Sequence, residues 1–146
     1  MYFDDLTLHQ KVTLSPVTVQ KEEMLAFADR YDNAPIHTDE AYAITTMFGR
    51  LLAPGVLSFM LVWAKYLEQD FFGEQLLAGA STKIEWHKPV FADDTLYGTA
   101  EITALTPRSP RNGMAVLTIL IHNQNGEHVI TGTVEAVMKR KEQNQT

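Results

Sequence analysis

The sequence predicts a single α+β domain in which a mostly antiparallel sheet curls around one long buried helix. One segment, from Val56 to Phe71, is apolar on almost every side and has the length of a helix. Strand-like segments fill the second half of the chain, and Asn125-Gly126 between two of them is a strong hairpin signal. Strands that follow one another after a single buried helix are typical of a sheet wrapped around that helix. With 146 residues, the chain favours one domain with a single core.

The predicted central helix should be buried on all faces, because apolar side chains surround it. The apolar run from Leu51 to Ala64 is interrupted by Pro54, Gly55 and Ser58. It is therefore shorter than the roughly 20 residues that a membrane-spanning helix needs. We expect a core helix and no membrane segment. Its apolar residues are Val56, Leu57, Phe59, Met60, Leu61, Val62, Trp63 and Leu67.

The first part of the chain combines an irregular strand with an amphipathic helix. From Leu6 to Val19, apolar and polar residues alternate, and Pro16 indicates an edge or irregular strand. From Lys21 to Tyr31, apolar residues recur at the spacing i, i+3, i+4 and i+7, which predicts an amphipathic helix. These apolar residues are Met24, Phe27, Ala28 and Tyr31.

The second half reads as four strands and a polar tail. Alternating or continuous apolar residues mark each strand, and Met114 to His122 is apolar enough to be the central one. Residues 107–113 form a turn-rich loop, and the polar residues 139–146 are expected to fray. The predicted strands are Leu76 to Val90, Thr95 to Leu105, Met114 to His122 and Val129 to Met138.

The stretch from Phe27 to Gly55 holds the main candidate for chemistry. Asp32 and His37 are five residues apart, with Pro35 between them. The proline keeps the preceding residue out of the helical region, so Asp32 should end one helix and His37 should follow a turn. A carboxylate and an imidazole on either side of one water could move its protons during addition to an activated double bond. The alternative is that Asp32 only caps a helix and that His37 is a surface loop residue. A short helix should follow to about residue 46, with Thr38 or Asp39 as its cap.

A longer ordered pattern runs through the same stretch and beyond it. It consists of Phe27-Ala28, Asp32, Pro35-Ile36-His37, Ala43, Phe48-Gly49 and Ala53-Pro54-Gly55, followed by Lys88-Pro89-Val90 and Asp94-Thr95-Leu96. This pattern resembles the MaoC-like dehydratases, a hot-dog-fold family that includes the (R)-specific enoyl-CoA hydratases. The resemblance covers nearly the whole chain. Ala34 and Pro54 depart from the family pattern, which has an asparagine and often a histidine at these places.

The resemblance implies a lyase that adds water to, or removes it from, the C2–C3 double bond of an acyl thioester, either acyl-CoA or an acyl-carrier thioester. Asp32 and His37 would be catalytic, and Pro35, Arg50 and Gly55 would bind the substrate. The Gly55 N–H would polarise the thioester oxygen at the positive end of the buried helix. Without the pattern, the residues alone favour a simple glycine in a turn at Gly55. The family also implies a homodimer, which an open strand edge would make reasonable.

Two other functions are compatible with the same sequence. A hot-dog thioesterase would direct a carboxylate-activated water at the carbonyl carbon itself. A non-catalytic acyl-binding or partner-binding protein would need no catalytic pair, and the missing asparagine at Ala34 leaves this alternative open. The Asp-Pro-His arrangement favours the hydratase over the thioesterase.

The composition disfavours nucleic-acid binding and raises the question of how an acidic chain would bind the phosphates of CoA. The net charge of −6 disfavours a nucleic-acid binder. It also means that the phosphates of CoA would need local cations, for which Arg50, Lys83, Lys88, Arg108 and Arg111 are candidates. The chain has no cysteine, which is compatible with a cytoplasmic location, and we see no targeting signal.

Other catalytic and binding chemistries find no support in the sequence. The histidines His87, His122 and His128 lack zinc-like spacing, so we expect strand surface residues, and we expect neither a metal nor a cofactor. There is no G-x-S-x-G elbow, dinucleotide fingerprint or phosphate-binding glycine loop. Asp93-Asp94 is expected to form a turn rather than a paired-acid site.

Overall fold

Six strands form one antiparallel arrangement in the computed structural model of this chain, which describes residues 1–142. The order of the strands is β1-β4-β5-β6-β3, and β2 also pairs with β4. The predicted α+β class with a mostly antiparallel sheet is confirmed. The elements are β1 (Lys11–Thr13), β2 (Val17–Thr18), α1 (Lys21–Tyr31), α2 (Pro35–Thr38), α3 (Glu40–Thr45), α4 (Gly55–Leu67), β3 (Leu76–Trp86), β4 (Thr95–Pro107), β5 (Asn112–His122) and β6 (His128–Lys139).

The strand β5 lies at the centre of the sheet, as the sequence predicts. It pairs with β4 on one side and β6 on the other. Every second side chain of β5 is fully buried, including Leu117, Ile119 and Ile121, because successive residues of a strand face opposite sides of the sheet. The predicted hairpin at Asn125-Gly126 joins β5 to β6 and is also confirmed.

At the edge of the sheet, β3 differs from β5 in the number of its neighbours and in its exposure. It pairs only with β6, and all its residues except Ile84 are exposed. The strand ends at Trp86 rather than at the predicted Val90, because the chain leaves β6 before Pro89. The exposed residues include three large apolar ones, Leu76, Leu77 and Trp86.

The two ends of the described chain are joined to each other. Arg140 donates to the Asp4 carboxylate, with 2.9 Å between Nη2 and Oδ1, and Lys141 forms an ion pair with Asp5. The residue before them, Lys139, still belongs to β6. The expected frayed tail is therefore wrong for residues 139–141, and residues 143–146 lie outside the described residues.

The helix α4 is shorter and less buried than predicted. It ends at Leu67 instead of Phe71. The chain beyond the helix is held by Tyr66 of α4, whose hydroxyl accepts a hydrogen bond from the Phe71 N–H. Burial raises the pKa of this hydroxyl. The prediction of burial on all faces is wrong, because the sheet covers only one side. A stripe on the other side, made of Val56, Met60 and Leu67, is 45–49% exposed.

The buried side of α4 contacts the sheet through one close approach. An ideal Cβ on Gly132 of β6 would lie 2.2 Å from Cε2 of Phe59, a residue of α4 that is 2% exposed. Only a glycine leaves room for this ring, and Gly132 pairs with Ile119 and Ile84 in the middle of the sheet. Among residues 1–142, none of the helices has the length and the apolar composition that crossing a membrane requires.

Candidate active site

The chain around Asp32 and His37 follows the backbone rules that the sequence suggested, with one difference. Asp32 is the C-terminal cap of α1, and its N–H donates to the Ala28 carbonyl. Ala34 is extended, as expected before a proline, and Pro35 opens α2. His37 therefore lies within a short helix and not in a loop past a turn, because Pro35 starts a new helical turn immediately.

His37 is held by a hydrogen bond to the main chain. Its Nδ1 lies 2.7 Å from the Leu52 carbonyl oxygen, and its side chain is 9% exposed. Because a carbonyl only accepts, Nδ1 carries the proton of this bond, and the neutral ring has its lone pair on Nε2. That Nε2 lies 3.3 Å from Oδ2 of Asp32, whose side chain is 44% exposed. A half-exposed carboxylate and a buried imidazole thus face each other.

Two backbone hydrogen bonds fix the segment whose Leu52 carbonyl accepts the hydrogen bond from His37. The Leu52 N–H donates to the Ile36 carbonyl, and the Ala53 N–H donates to the Val90 carbonyl. The next helix, α3, begins with Asp39 as its cap, since the Asp39 side chain accepts from the Tyr42 N–H. Of the two caps that the sequence proposes, Asp39 is the one observed. The imidazole therefore has little freedom to turn away from Asp32.

Asp32 and His37 line a cavity of about 570 Å³. Its walls are mostly apolar, which is typical of small-molecule sites in which a few polar groups fix the ligand. The Asp32–His37 pair lies in these walls together with Gly55. The other lining residues are Ile36, Phe48, Leu52, Ala53, Val56, Ser58, Trp86, His87, Lys88, Pro89 and Val90.

Gly55 brings the beginning of α4 to the cavity. The helix starts there with Pro54 as the N-cap, and no side chain caps this end. The first N–H groups of a helix have no partner within it, so they can donate to a ligand. An ideal Cβ on Gly55 would lie 2.4 Å from both Nε1 and Cε2 of Trp86. The missing side chain therefore makes room for the Trp86 ring, which is a different reason for the glycine from the open approach to the backbone that the sequence suggested.

The structure does not bring all predicted binding residues to this cavity. Neither Pro35 nor Arg50 is among its lining residues. The Arg50 guanidinium lies 3.7 Å from the centre of the Phe91 ring and borders a smaller neighbouring cavity of about 300 Å³. Pro35 acts through the backbone, by opening the helix that carries His37.

The candidate cations are distributed unevenly. Lys88 lines the cavity, but its Nζ lies 2.6 Å from a Glu127 carboxylate oxygen. Lys83 forms an ion pair with Glu85 at 3.8 Å on the edge strand. Arg108 and Arg111 lie in the β4–β5 loop, separated from the cavity end of the sheet by roughly 40 Å of strand. Of these five candidate cations, only Lys88 lines the cavity.

Sequence reasoning assigned no site role to several residues of the cavity wall, including Ser58, Phe48, Trp86 and His87. Ser58 is fully buried, and its hydroxyl donates to the Pro54 carbonyl at 3.2 Å, which holds the first turn of α4. Phe48, Trp86 and His87 also line the cavity. The signal for Trp86 and His87 was present, because they immediately precede the Lys88-Pro89-Val90 motif.

The remaining histidines and acids that the sequence analysis considered contact neighbouring groups of the protein. The rings of His87 and His122 each lie beside that of His128, with ring centres 4.6 Å and 5.2 Å apart, and both pairs are tilted. His87 follows the last residue of β3 and also lines the cavity. Residues 1–142 contain no group of three or more histidine, cysteine or acidic side chains arranged to hold a metal ion. Asp94 is buried and accepts hydrogen bonds from the Phe91 N–H and from Gln124, so the predicted turn at Asp93-Asp94 is confirmed.

Comparison with known proteins identifies the family. Residues 5–124 match the family described as MaoC like domain. The (R)-specific enoyl-CoA hydratase of Aeromonas caviae is 35% identical over 141 residues, covering 95% of this chain and 98% of that protein. YdeM of Bacillus subtilis, an uncharacterized protein, is 28% identical over 143 residues, covering 96% of this chain and all of YdeM. The solved structure of the MaoC-like dehydratase from Rhodospirillum rubrum superposes with a TM-score of 0.87 at 26% identity and covers 98% of this chain and 99% of that chain. The chain belongs to the MaoC-like dehydratase family and has its hot-dog fold.

Proposed function

We propose that this protein is a hydratase or dehydratase acting at the C2–C3 double bond of an acyl thioester. One observation carries the proposal: Nε2 of His37 and Oδ2 of Asp32 lie 3.3 Å apart in the wall of a mostly apolar cavity. Two proton-accepting groups at this distance can bind the same water molecule. The kinship with (R)-specific enoyl-CoA hydratases supports the same chemistry.

In the hydration direction, Asp32 and His37 hold one water next to the double bond. The water oxygen forms a bond to C3 while one of the two groups takes a proton from it. The electron pair of the double bond moves towards C2 and the thioester oxygen. The proton taken from the water passes across the pair, whose Nε2 and Oδ2 atoms are 3.3 Å apart, and the other group delivers it to C2. One water molecule is added, and both side chains end in the protonation state in which they began. General acid–base assistance of this kind contributes roughly 10²–10⁴-fold in rate.

The charge that develops on the thioester oxygen needs a donor in the cavity. We propose the Gly55 N–H at the uncapped start of α4 for this role, which is supported by Gly55 lying in the same cavity wall as Asp32 and His37. A preorganised donor stabilises the enolate-like transition state more than the ground state, which is the condition for raising kcat. Lys88 lines the cavity and is our proposed contact for the phosphates of a CoA or carrier thioester, and Arg50 stays a predicted contact. A cytoplasmic location stays a prediction.

An ultraviolet assay of crotonyl-CoA tests this proposal. The wild type should remove the enoyl thioester absorbance and give the (R)-3-hydroxy product. Asp32→Asn should reduce kcat by roughly 10²–10⁴-fold. Asp29→Asn is the matched control, since Asp29 is an exposed carboxylate one turn earlier on α1 and outside the cavity. Release of free CoA by the wild type would instead indicate a thioesterase. Binding of enoyl-CoAs without turnover would indicate an acyl-binding protein.

We also propose that the protein is a homodimer joined at the edge of β3. The exposed edge strand and the exposed stripe of α4 leave apolar side chains in water, including Leu77 at 55% and Met60 at 45% exposure. An unpaired strand edge with apolar residues favours pairing with a second copy. A second copy would cover both surfaces and border the cavity at Trp86, the last residue of β3.

Light scattering at micromolar concentration tests this assembly. The wild type should have the mass of two chains, and Leu77→Lys should shift it to one, because a charge on an edge strand opposes edge pairing. Leu120→Lys is the control, since Leu120 is 37% exposed but lies on the central strand β5. A stable wild-type monomer would contradict the proposal.

A further inference from the structure

We propose that the indole N–H of Trp86 is a second hydrogen-bond donor to the thioester oxygen, beside the Gly55 N–H. This inference rests on the proposed function and extends its site by one residue. Trp86 is the last residue of β3 and pairs with Ile130 of β6. Its side chain lines the same cavity as Asp32 and His37.

The distance between the two donors follows from the contact at Gly55. Nε1 of Trp86 lies 2.4 Å from the position of an ideal Gly55 Cβ. In standard backbone geometry a Cβ lies about 2.5 Å from its own backbone nitrogen, so the two donor nitrogens are no more than about 5 Å apart. A single oxygen can accept from both, because hydrogen bonds to oxygen reach about 2.9 Å from each nitrogen.

The chemistry of the two groups fits a carbonyl oxygen. An indole N–H is a donor only, and a carbonyl oxygen has two lone pairs. The N-cap of α4 is Pro54, which has no N–H, so this end of the helix offers fewer backbone donors than another residue would give. The Trp86 N–H compensates for this. The indole ring, which is 52% exposed at the cavity wall, also provides an apolar surface for the thioester.

The arrangement explains why the first residue of α4 is a glycine. Any side chain there would collide with the edge of the indole ring, where Nε1, Cε2 and Cζ2 lie 2.4–2.8 Å from the ideal Cβ. A larger residue would therefore push Nε1 away from the helix start. Gly55 and Trp86 act as one unit that presents two N–H groups to the same place.

The test is Trp86→Phe, which keeps an aromatic wall and removes the N–H. We expect kcat for crotonyl-CoA to fall roughly 10–100-fold, less than for a fully buried oxyanion donor because water reaches this site, while KM changes by less than about threefold. Trp63→Phe is the matched control: Trp63 stacks on Phe59 and Tyr66 and does not line the cavity. A kcat within about threefold of the wild type in Trp86→Phe would overturn the inference while leaving the proposed function intact.

A second readout keeps the inference testable if the wild type hydrates no enoyl-CoA, which would count against the proposed function itself. In the ¹⁵N-labelled Trp63→Phe protein, the single remaining indole N–H resonance belongs to Trp86. Addition of butyryl-CoA should shift this resonance downfield as the N–H donates to the thioester oxygen. An unshifted resonance at saturating butyryl-CoA would overturn the inference.

Discussion

Gly132 and Gly55 each leave room for an aromatic ring, but they lie in opposite surroundings. Gly132 receives the Phe59 ring in the middle of the sheet, where Phe59 is 2% exposed. Gly55 receives the Trp86 ring at the cavity, where Trp86 is 52% exposed. The same steric device thus joins the helix to the sheet in the core and assembles donors at the candidate site. Because Phe59 has nowhere to move and Trp86 has open space beside it, the two contacts should affect different properties.

The largest effect on stability is expected for Gly132→Ala. The added methyl group would collide with the buried Phe59 ring, and β6 cannot move away easily because it is paired on both sides. The free energy of unfolding should therefore fall by about 1–3 kcal/mol. Urea unfolding measures this change. The activity per folded molecule should stay near that of the wild type, because Gly132 is not among the residues that line the cavity. An unchanged unfolding midpoint would show that the helix can move away from the sheet at Phe59.

Gly55→Ala should have the opposite effects: a large loss of activity and a small change in the free energy of unfolding. The methyl group would displace the exposed Trp86 ring, so kcat for crotonyl-CoA should fall about tenfold or more. The unfolding free energy should change by less than about 1 kcal/mol, since alanine favours a helix by up to that amount over glycine and offsets the lost contact. Comparing the two alanine variants in the same two assays sharpens the distinction. Normal activity in Gly55→Ala would contradict a role for the Gly55–Trp86 contact in catalysis.

The smallest effect concerns the joined chain ends, far from both glycines. The hydrogen bond from the Arg140 side chain, followed by that from the Lys141 N–H, lowers the pKa of Asp4 below its ordinary value of 3.8. A lowered pKa in the folded state stabilises the fold above the ordinary pKa, and this stabilisation disappears as the pH falls through the folded value. Because the pair is partly exposed, its contribution should be below about 1 kcal/mol.

Urea midpoints of the wild type and Asp4→Asn, measured between about pH 6 and pH 2, test this. The wild type should be the more stable at the upper end, and the difference should close as Asp4 becomes protonated. A difference that stays constant over this range would mean that the charge of Asp4 does not contribute.

Sequence patterns predicted the parts of the fold that depend on local chemistry and burial period. The helix α1 from Lys21 to Tyr31, the central strand β5 and the hairpin at Asn125-Gly126 all follow from side-chain spacing or turn residues. Burial of α4 was overestimated, because a hydrophobic side chain shows that a surface is apolar but not whether the rest of the chain covers it. The frayed tail was also wrong at Arg140, since an ion pair with Asp4 joins residues far apart in sequence.

The candidate site was also predictable only in part, because some of its residues come together only through contacts between distant parts of the sequence. Asp32 and His37 are close in sequence, and Pro35 between them restricts the backbone, so their meeting could be anticipated. The position of Trp86 beside Gly55 could not be anticipated, because strand β3 reaches Gly55 only through the tertiary fold. Arg50 was an expected binding residue by sequence position, yet its guanidinium lies over Phe91 beside another cavity.

The most direct test of the account is a double-mutant cycle on Asp32 and His37. The rate of crotonyl-CoA hydration would be measured for Asp32→Asn, His37→Gln and the double variant, with folding checked by urea unfolding. If both groups act on one water, each single variant should lose roughly 10²–10⁴-fold in kcat and the double variant should lose little more. Losses that multiply in the double variant would contradict this, because they would show that the two side chains act independently.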